Sequence, residues 1–234
     1  MHILAIDTSN EVMGVAILKE NEVIGEIVTN IAKNHSVRLM PAIEFLMKEV
    51  NLIPEQLDKI VVAKGPGSYT GVRIGLTTAK TLAWSLNIPI VGVSSLEGLA
   101  YQGRFSEALI CPFFDARRGL VYTGLYEFIE GQPKLVENEQ NILFSDWLDK
   151  LSELNRDVLF LSPDMEKHST MIEEKLGEKA IIPEKTFHIP KPSHLGMAAG
   201  YHKPDLTHDL IPNYLRLAEA ESKWLNEQRD TNNG

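Results

Sequence analysis

The sequence is almost free of cysteine, with one thiol, Cys111, among 234 residues. A single cysteine excludes a disulfide within the chain, which suits a reducing compartment such as the cytoplasm. Cys111 lies in the apolar run LICPFF and has no histidine near it in sequence. We therefore interpret it as a small buried hydrophobic residue and not as a nucleophile.

Basic residues and long apolar runs are also scarce. The chain has 23 Lys and Arg against 32 Asp and Glu, giving a formal net charge of −9. Proteins that bind nucleic acid alone usually carry a basic face, so we expect any contact of this kind to depend on a partner. The N-terminus has no signal-peptide pattern, and no apolar run reaches the roughly 18 residues of a spanning helix. We therefore expect a cytoplasmic protein with no membrane partner.

Motifs of metal sites and nucleophilic catalysis are missing. The seven histidines show no H-x-x-x-H or cysteine–histidine spacing, so we predict no metal ligand. The run GPGSYTG has glycines one residue before Ser68 and three after it, which departs from the G-x-S-x-G elbow of hydrolases. We accordingly predict no catalytic residue.

Apolar strands and amphipathic helices are what the sequence does contain. The run HILAID predicts a buried strand, and two further strands with a hairpin at Glu20 follow it. Helical spacing begins at Asn34, and a second helix is predicted over residues 71–86. Strands that alternate with helices indicate an α/β protein with a mainly parallel sheet.

This order of elements restarts near Gly103. The run ALICPFFD is again an apolar strand that ends on an aspartate, and a second hairpin follows it. The repeat predicts two related lobes, residues 1–103 and 104–234, with a cleft between them and a polar tail from about residue 220.

The run KGPGSYTGVRIG resembles a phosphate-binding loop but fails two nucleotide patterns. No lysine follows Gly71, as the Walker A pattern requires, and Thr70 stands where G-x-G-x-x-G has its last glycine. Ser68 or Thr70 can cap the following helix, and the same helix N-terminus can bind an anion. We favour capping.

The two aspartates that end the repeated strands also have two interpretations. They can hold a ligand in the cleft, or they can form Asx turns with the residues that follow. The first is followed by TSN, where phosphate hairpins usually have a glycine, and the second by the bulky arginines of DARRG, so we favour the structural interpretation. The candidates for an anion or nucleotide contact are Asp7, Gly67, Ser68, Thr70 and Asp115.

Gly71, Gly75 and Ala79 recur every four residues and form a stripe of very small side chains on the second helix. Glycine inside a helix costs about 1 kcal/mol relative to alanine, so the stripe calls for a close approach of another backbone. That backbone belongs either to the same core or to a partner helix.

Five motifs together resemble the bacterial TsaB family, also called YeaZ: ILAIDTS, HSVRLMP, KGPGSYTGVRIG, DARRGLVYTGLY and PNYLR. They cover the chain nearly end to end and follow the order of that family. The resemblance implies the duplicated fold of actin, Hsp70 and sugar kinases, which is ribonuclease H-like. It also implies a role in forming threonylcarbamoyladenosine at adenosine 37 of tRNAs that read ANN codons.

The resemblance further implies that the chain is a partner subunit and not the catalyst. TsaD carries a two-histidine metal site and transfers the threonylcarbamoyl group, and the ATPase TsaE joins the complex. No cofactor is expected on this chain alone, since ATP and metal belong mainly to the partners, and tRNA binds only through the complex. Without TsaD, the family forms homodimers.

Pairing with TsaD or with a second copy is implied for two helices, here about 35–50 and 71–86. The predicted interface residues are His35, Leu39, Met40, Ile43, Met47, Gly71, Gly75, Thr78, Ala79 and Leu82.

Two other classes of function remain open at this point. A small-molecule kinase or ATPase would use the cleft, and tight binding of Mg·ATP to the chain alone would favour it. A peptidase is the weakest alternative, and Ser68 is its one candidate nucleophile.

Overall fold

The computed structural model describes residues 1–31 and 34–215, so the expected polar tail from about residue 220 lies outside the described residues. Within these limits the chain folds into two five-stranded sheets, one after the other in sequence, with six α-helices on their faces. No helix in the described part is long and apolar enough to cross a membrane.

The first sheet contains the strands predicted from the N-terminal half. Its strands are β1 (His2–Asp7), β2 (Val12–Lys19), β3 (Glu22–Asn30), β4 (Lys59–Ala63) and β5 (Ile90–Val93). They lie in the order β3-β2-β1-β4-β5, with β1 antiparallel to β2 and parallel to β4. The hairpin of β2 and β3 turns at Glu20, which has a positive φ of 58°.

Side chains of β1 alternate between two buried faces, as the pleat of a strand requires. Leu4 and Ile6 belong to a core that includes buried residues of α1 (His35–Glu49) and α2 (Tyr69–Leu86). Ile3 and Ala5 belong to a second core that includes Leu195. Because both faces are covered, β1 is apolar at every position from Ile3 to Ile6.

The second sheet repeats the layout of the first. Its strands are β6 (Leu109–Asp115), β7 (Leu120–Ile129), β8 (Gln132–Leu143), β9 (Val158–Leu161) and β10 (Ala180–Ile181). They lie in the order β10-β9-β6-β7-β8, with β6 antiparallel to β7 and parallel to β9. The matching positions of β1 and β6 confirm the duplication that the sequence predicted.

Three helices cover the second sheet. Residues of α4 (Phe144–Glu153) and α5 (Ser169–Leu176) share a core with Phe113 and Phe160. The short helix α3 (Ser95–Ala100) packs on the other face with Ile110 and Phe114. α3 therefore lies between the two lobes.

The lobe bounds 1–103 and 104–234 stay a prediction, and one helix from the C-terminal half packs on the first sheet. Residues after 104 were assigned to the second lobe, but α6 (Pro192–Ala198) packs on β1 and β2. The physical reason is that α1 and α2 cover one face of the first sheet and leave the apolar residues of its other face to be buried. Residues 205–215, which we call the C-terminal strap, also lie on the first lobe, where Asp205 pairs with Ile90 at the edge of β5.

Candidate functional site

A cleft of about 610 Å³ opens where the two lobes meet. The first lobe contributes residues after β1 and the start of α2, including Ser9 and Ser68. The second lobe contributes the end of β6 with Asp115, together with Asp164 and Lys167. The cleft thus brings together most of the residues predicted to contact an anion or nucleotide, which remain candidates for that role.

Asp7 is buried beside this cleft and satisfied by its own turn. Its Oδ1 accepts hydrogen bonds from the Ser9 N–H at 2.8 Å and from the Ser9 Oγ at 2.7 Å. Burial raises the pKa of Asp7, and the bonds from Ser9 and the nearby His35 oppose that rise. The predicted Asx turn is confirmed at this position.

The glycine loop, residues 64–68 between β4 and α2, packs directly against the turn that follows Asp7. The Ser68 N–H donates to the Ser9 carbonyl at 2.7 Å, and a Cβ on Gly67 would lie 2.0 Å from that same oxygen. Gly67 is therefore needed for the close approach of two backbones within the chain. A phosphate loop would instead leave its N–H groups free for a ligand.

Ser68 caps α2, as the sequence predicted. Its Oγ accepts a hydrogen bond from the Gly71 N–H at 3.3 Å, and α2 begins at Tyr69, two residues before the predicted start. Thr70 is exposed and lines the cleft. Ser68 thus has a structural role that requires no ligand.

Asp115 is engaged by neighbours in the second lobe. It accepts a hydrogen bond from the Arg117 N–H at 3.0 Å and pairs with the Lys167 ammonium at 3.3 Å. Lys167 also pairs with Asp164 at 2.6 Å, and the two carboxylates raise the pKa of Lys167. The second-lobe wall of the cleft is therefore a charge cluster with internal partners.

His168 adjoins this cluster but packs mainly against aromatic rings. Its ring lies edge-on to Phe113 and Phe144, and its Nε2 is 3.8 Å from an Asp115 oxygen. Burial lowers the pKa of His168, which favours the neutral imidazole at neutral pH. No group of three metal-ligating side chains occurs among the residues that the structure describes.

The small-residue stripe of α2 packs inside the first lobe. A Cβ on Gly71 would lie 2.2 Å from the Thr8 carbonyl oxygen, and one on Gly75 would lie 2.5 Å from the Thr8 Oγ1. Ala79 is fully buried in the same core. Gly71 and Gly75 therefore pack closely against the turn after β1 within this chain, and the assignment of Gly71, Gly75 and Ala79 to a partner interface stays a prediction.

Three predicted interface residues of α1 are also core residues. Leu39, Ile43 and Met47 are at most 6% exposed, since they face the first sheet. Met40 is 47% exposed, and His35, Thr78 and Leu82 are partly exposed. Helical spacing marks an apolar face but does not distinguish the face toward the core from one toward a partner.

An apolar groove of about 850 Å³ runs along α1. We call it the α1 groove, and its lining includes Met40, Pro41, Ile43, Met47, Leu52, Ile53, Pro54, Leu57 and Leu82. Ile53 is 58% exposed and is not among the predicted interface residues. The one sequence feature that could have indicated it is the apolar run NLIP after α1. Val37 on α1 is 67% exposed and is not among the predicted interface residues.

Two copies of one sheet layout, with an aspartate at the end of each central strand, define the class of duplicated actin-like α/β folds. Component A of the (R)-2-hydroxyglutaryl-CoA dehydratase of Acidaminococcus fermentans shares this fold, with a TM-score of 0.50 at 11% identity. It spans 85% of this chain and 99% of its own.

A family model described as TsaD, tRNA N6-adenosine threonylcarbamoyltransferase, matches residues 22–224. The tRNA threonylcarbamoyladenosine biosynthesis protein TsaB of Bacillus subtilis is 54% identical over 98% of this chain and 100% of its own length. The TsaB of Buchnera aphidicola is 30% identical over 77% of this chain and 87% of its own length. YeaZ from Pseudomonas aeruginosa has a TM-score of 0.77 at 26% identity, and the match covers 92% of this chain and 99% of YeaZ. The chain belongs to the TsaB (YeaZ) family.

Proposed function

We propose that this chain is a non-catalytic, complex-forming subunit for threonylcarbamoylation of adenosine 37 in tRNAs that read ANN codons. It pairs with a TsaD protein, and a TsaE protein joins the larger assembly. In this role the chain supplies a docking surface, while the partners supply the metal, the ATP and the transfer chemistry. tRNA is bound by the assembled complex.

The α1 groove is the observation that carries this proposal. Met40 and Leu82, two of the predicted interface residues, line it, and Ile53 extends its apolar surface. An apolar patch that a folded chain leaves exposed is typical of a surface that meets another protein. Methionine suits a surface with two alternative partners, TsaD and a second copy, because its side chain adapts to different neighbours.

The cleft supports the non-catalytic part of the proposal. Asp7 and Asp115 stand where this fold class places ligand-holding aspartates, yet both accept hydrogen bonds from their own turns. Lys167 further neutralises Asp115. These side chains therefore have structural roles that do not depend on a bound substrate.

The test replaces Met40 by aspartate. A charge in the groove would be desolvated on pairing, so we expect Met40→Asp to weaken binding to TsaD by about tenfold or more. Transfer activity in a mixture with TsaD, TsaE, ATP and tRNA should fall accordingly. Because Met40 is half exposed, the variant should retain the circular dichroism and unfolding midpoint of the parent.

Phe105→Asp is the matched control, since Phe105 is 86% exposed and lies outside both α1 and α2. It should bind TsaD as the parent does. Normal pairing of a folded Met40→Asp protein would rule out the groove as the docking surface. Threonylcarbamoyl transfer by the isolated chain would disprove the non-catalytic role.

A further inference from the structure

A carboxylate at the joint between the lobes connects three parts of the molecule. Glu139 lies on β8, the edge strand of the second sheet. Its Oε1 accepts hydrogen bonds from the hydroxyls of Ser94 and Tyr126, and its Oε2 accepts one from the Asn213 side chain at 3.1 Å. Ser94 follows β5 in the first lobe, Tyr126 lies on β7 in the second, and Asn213 belongs to the C-terminal strap.

Each of these partners is itself fixed to its own element. Ser94 caps α3 by accepting a hydrogen bond from the Leu96 N–H at 3.2 Å. The Asn213 N–H donates to the Lys64 carbonyl at 2.7 Å, directly after β4. Tyr126 is 2% exposed in the core between α3 and the second sheet. A shift of any partner would therefore move a whole element with it.

The strap is held along the first lobe by a series of polar contacts. The Asp205 N–H donates to the Ile90 carbonyl, and the Asp205 carboxylate accepts from the Gly92 N–H, both at the edge of β5. The Lys80 ammonium donates to the Leu210 carbonyl at 2.9 Å. At its far end, the Tyr214 ring stacks on Tyr69 with centroids 5.4 Å apart. Because Tyr69 lines the cleft, the strap runs from the sheet edge to the cleft rim.

We propose that Glu139 acts as a latch that fixes the angle between the two lobes and holds the C-terminal strap against the first lobe. The two sheets present their edge strands, β5 and β8, to this joint. The Glu139 carboxylate, on β8, accepts hydrogen bonds from Ser94 after β5, from Tyr126 on β7 and from Asn213 of the strap, and so joins the second sheet both to the first lobe and to the strap. Its release loosens the strap and widens the range of lobe angles, and hence of cleft widths.

Two substitutions at Glu139 separate the hydrogen bonds from the bulk of the side chain. Glu139→Ala removes all three bonds. Glu139→Gln keeps an oxygen that accepts from both hydroxyls, and its amide can donate to Asn213 once that side chain turns over. Glu137→Ala is the control on the same strand, where Glu137 makes a partly exposed ion pair with Lys150.

Hydrogen–deuterium exchange followed by mass spectrometry gives the first readout. We expect Glu139→Ala to raise exchange of the strap, residues 205–215, and of the start of α3 by about tenfold or more. Glu139→Gln and Glu137→Ala should stay within about threefold of the parent. Faster exchange confined to β7 and β8, or equal effects of Ala and Gln, would overturn the latch.

The lobe angle is measured by the distance between two spin labels. Cysteines that replace the exposed Glu22 and Glu173 place one label on each lobe, while the buried Cys111 stays unlabelled. The latch predicts a broader distance distribution in Glu139→Ala than in the control, and an unchanged distribution would contradict it.

Asn213→Ala covers the case in which Glu139→Ala does not fold. This variant breaks the bond to the strap alone, so exchange should rise over residues 205–215 while the start of α3 remains protected. Parental exchange of the strap in Asn213→Ala would refute the link between strap and latch.

Discussion

Gly75 belongs to a stripe of small residues that could pack either against a partner helix or against the core of its own chain. Small residues every four positions permit a close approach, and the approaching group here is Thr8, just after β1. The Thr8 hydroxyl donates to the Gly71 carbonyl at 2.7 Å, which ties α2 to the first turn of the chain. The pattern predicts the close contact but not its partner, because the partner lies more than 60 residues away in sequence.

We expect Gly75→Ala to destabilise the fold. Alanine favours a helix by about 1 kcal/mol, but its Cβ would lie 2.5 Å from the Thr8 Oγ1 in a packed core, where overpacking costs about 1–3 kcal/mol. The net loss should be about 1 kcal/mol, measured by urea unfolding.

The same substitution in a Thr8→Ala background separates the contact from general effects of the helix. With the hydroxyl gone, Gly75→Ala should be neutral or stabilising. An equal cost in both backgrounds would show that another contact limits the side chain at position 75.

At the scale of elements, the sequence predicts what local pattern determines. β1 occupies the predicted run HILAID, because this apolar run ends at the polar turn that follows Asp7. The start of α1 follows from Asn34, whose side chain accepts from the Ser36 N–H. The placement of α6 on the first sheet was not predictable in this way, since it depends on an uncovered sheet face distant in sequence.

An ion pair that joins α3 to the segment after α6 predicts a dependence of stability on pH. His202 Nε2 lies 2.8 Å from a Glu97 oxygen, and this bond raises the pKa of His202 above its ordinary value of 6.5. A raised pKa means that protonation favours the folded state, so the contribution is complete below about pH 6.5 and is lost as the pH rises through the folded pKa.

Urea unfolding at pH 5.5 to 8.5, spanning about one unit below and two above the ordinary histidine pKa, measures this effect. His202→Gln should cost stability at the acidic end and little at the alkaline end, with a difference of about 1 kcal/mol or less because the pair is partly exposed. His208→Gln is the control, since it changes a histidine of the strap that lies six residues further along the chain. A constant difference between His202→Gln and the parent across this range would contradict the assignment.

At the scale of the whole molecule, duplication has preserved a turn and changed its surroundings. Asp7 and Asp115 each accept a hydrogen bond from the N–H two residues later, after the central strand of each lobe. The residues that follow the two aspartates differ, as the runs DTSN and DARRG show. The fold and the cleft were therefore predictable, whereas the packing of the glycine loop onto the Ser9 carbonyl required the structure.

The state of this cleft predicts how the isolated chain responds to nucleotide. A triphosphate would meet the Asp115 and Asp164 carboxylates, and Lys167 is already paired with both. On the first-lobe side, the Ser68 N–H is bonded to the Ser9 carbonyl. We therefore expect no saturable heat when Mg·ATP is titrated into the chain alone to about 1 mM, a concentration well above the dissociation constant of a specific nucleotide site. Saturable binding would establish a nucleotide site and favour an ATPase if Asp115→Asn alters it and the control Asp146→Asn leaves it unchanged. Asp146 lies in the exposed first turn of α4.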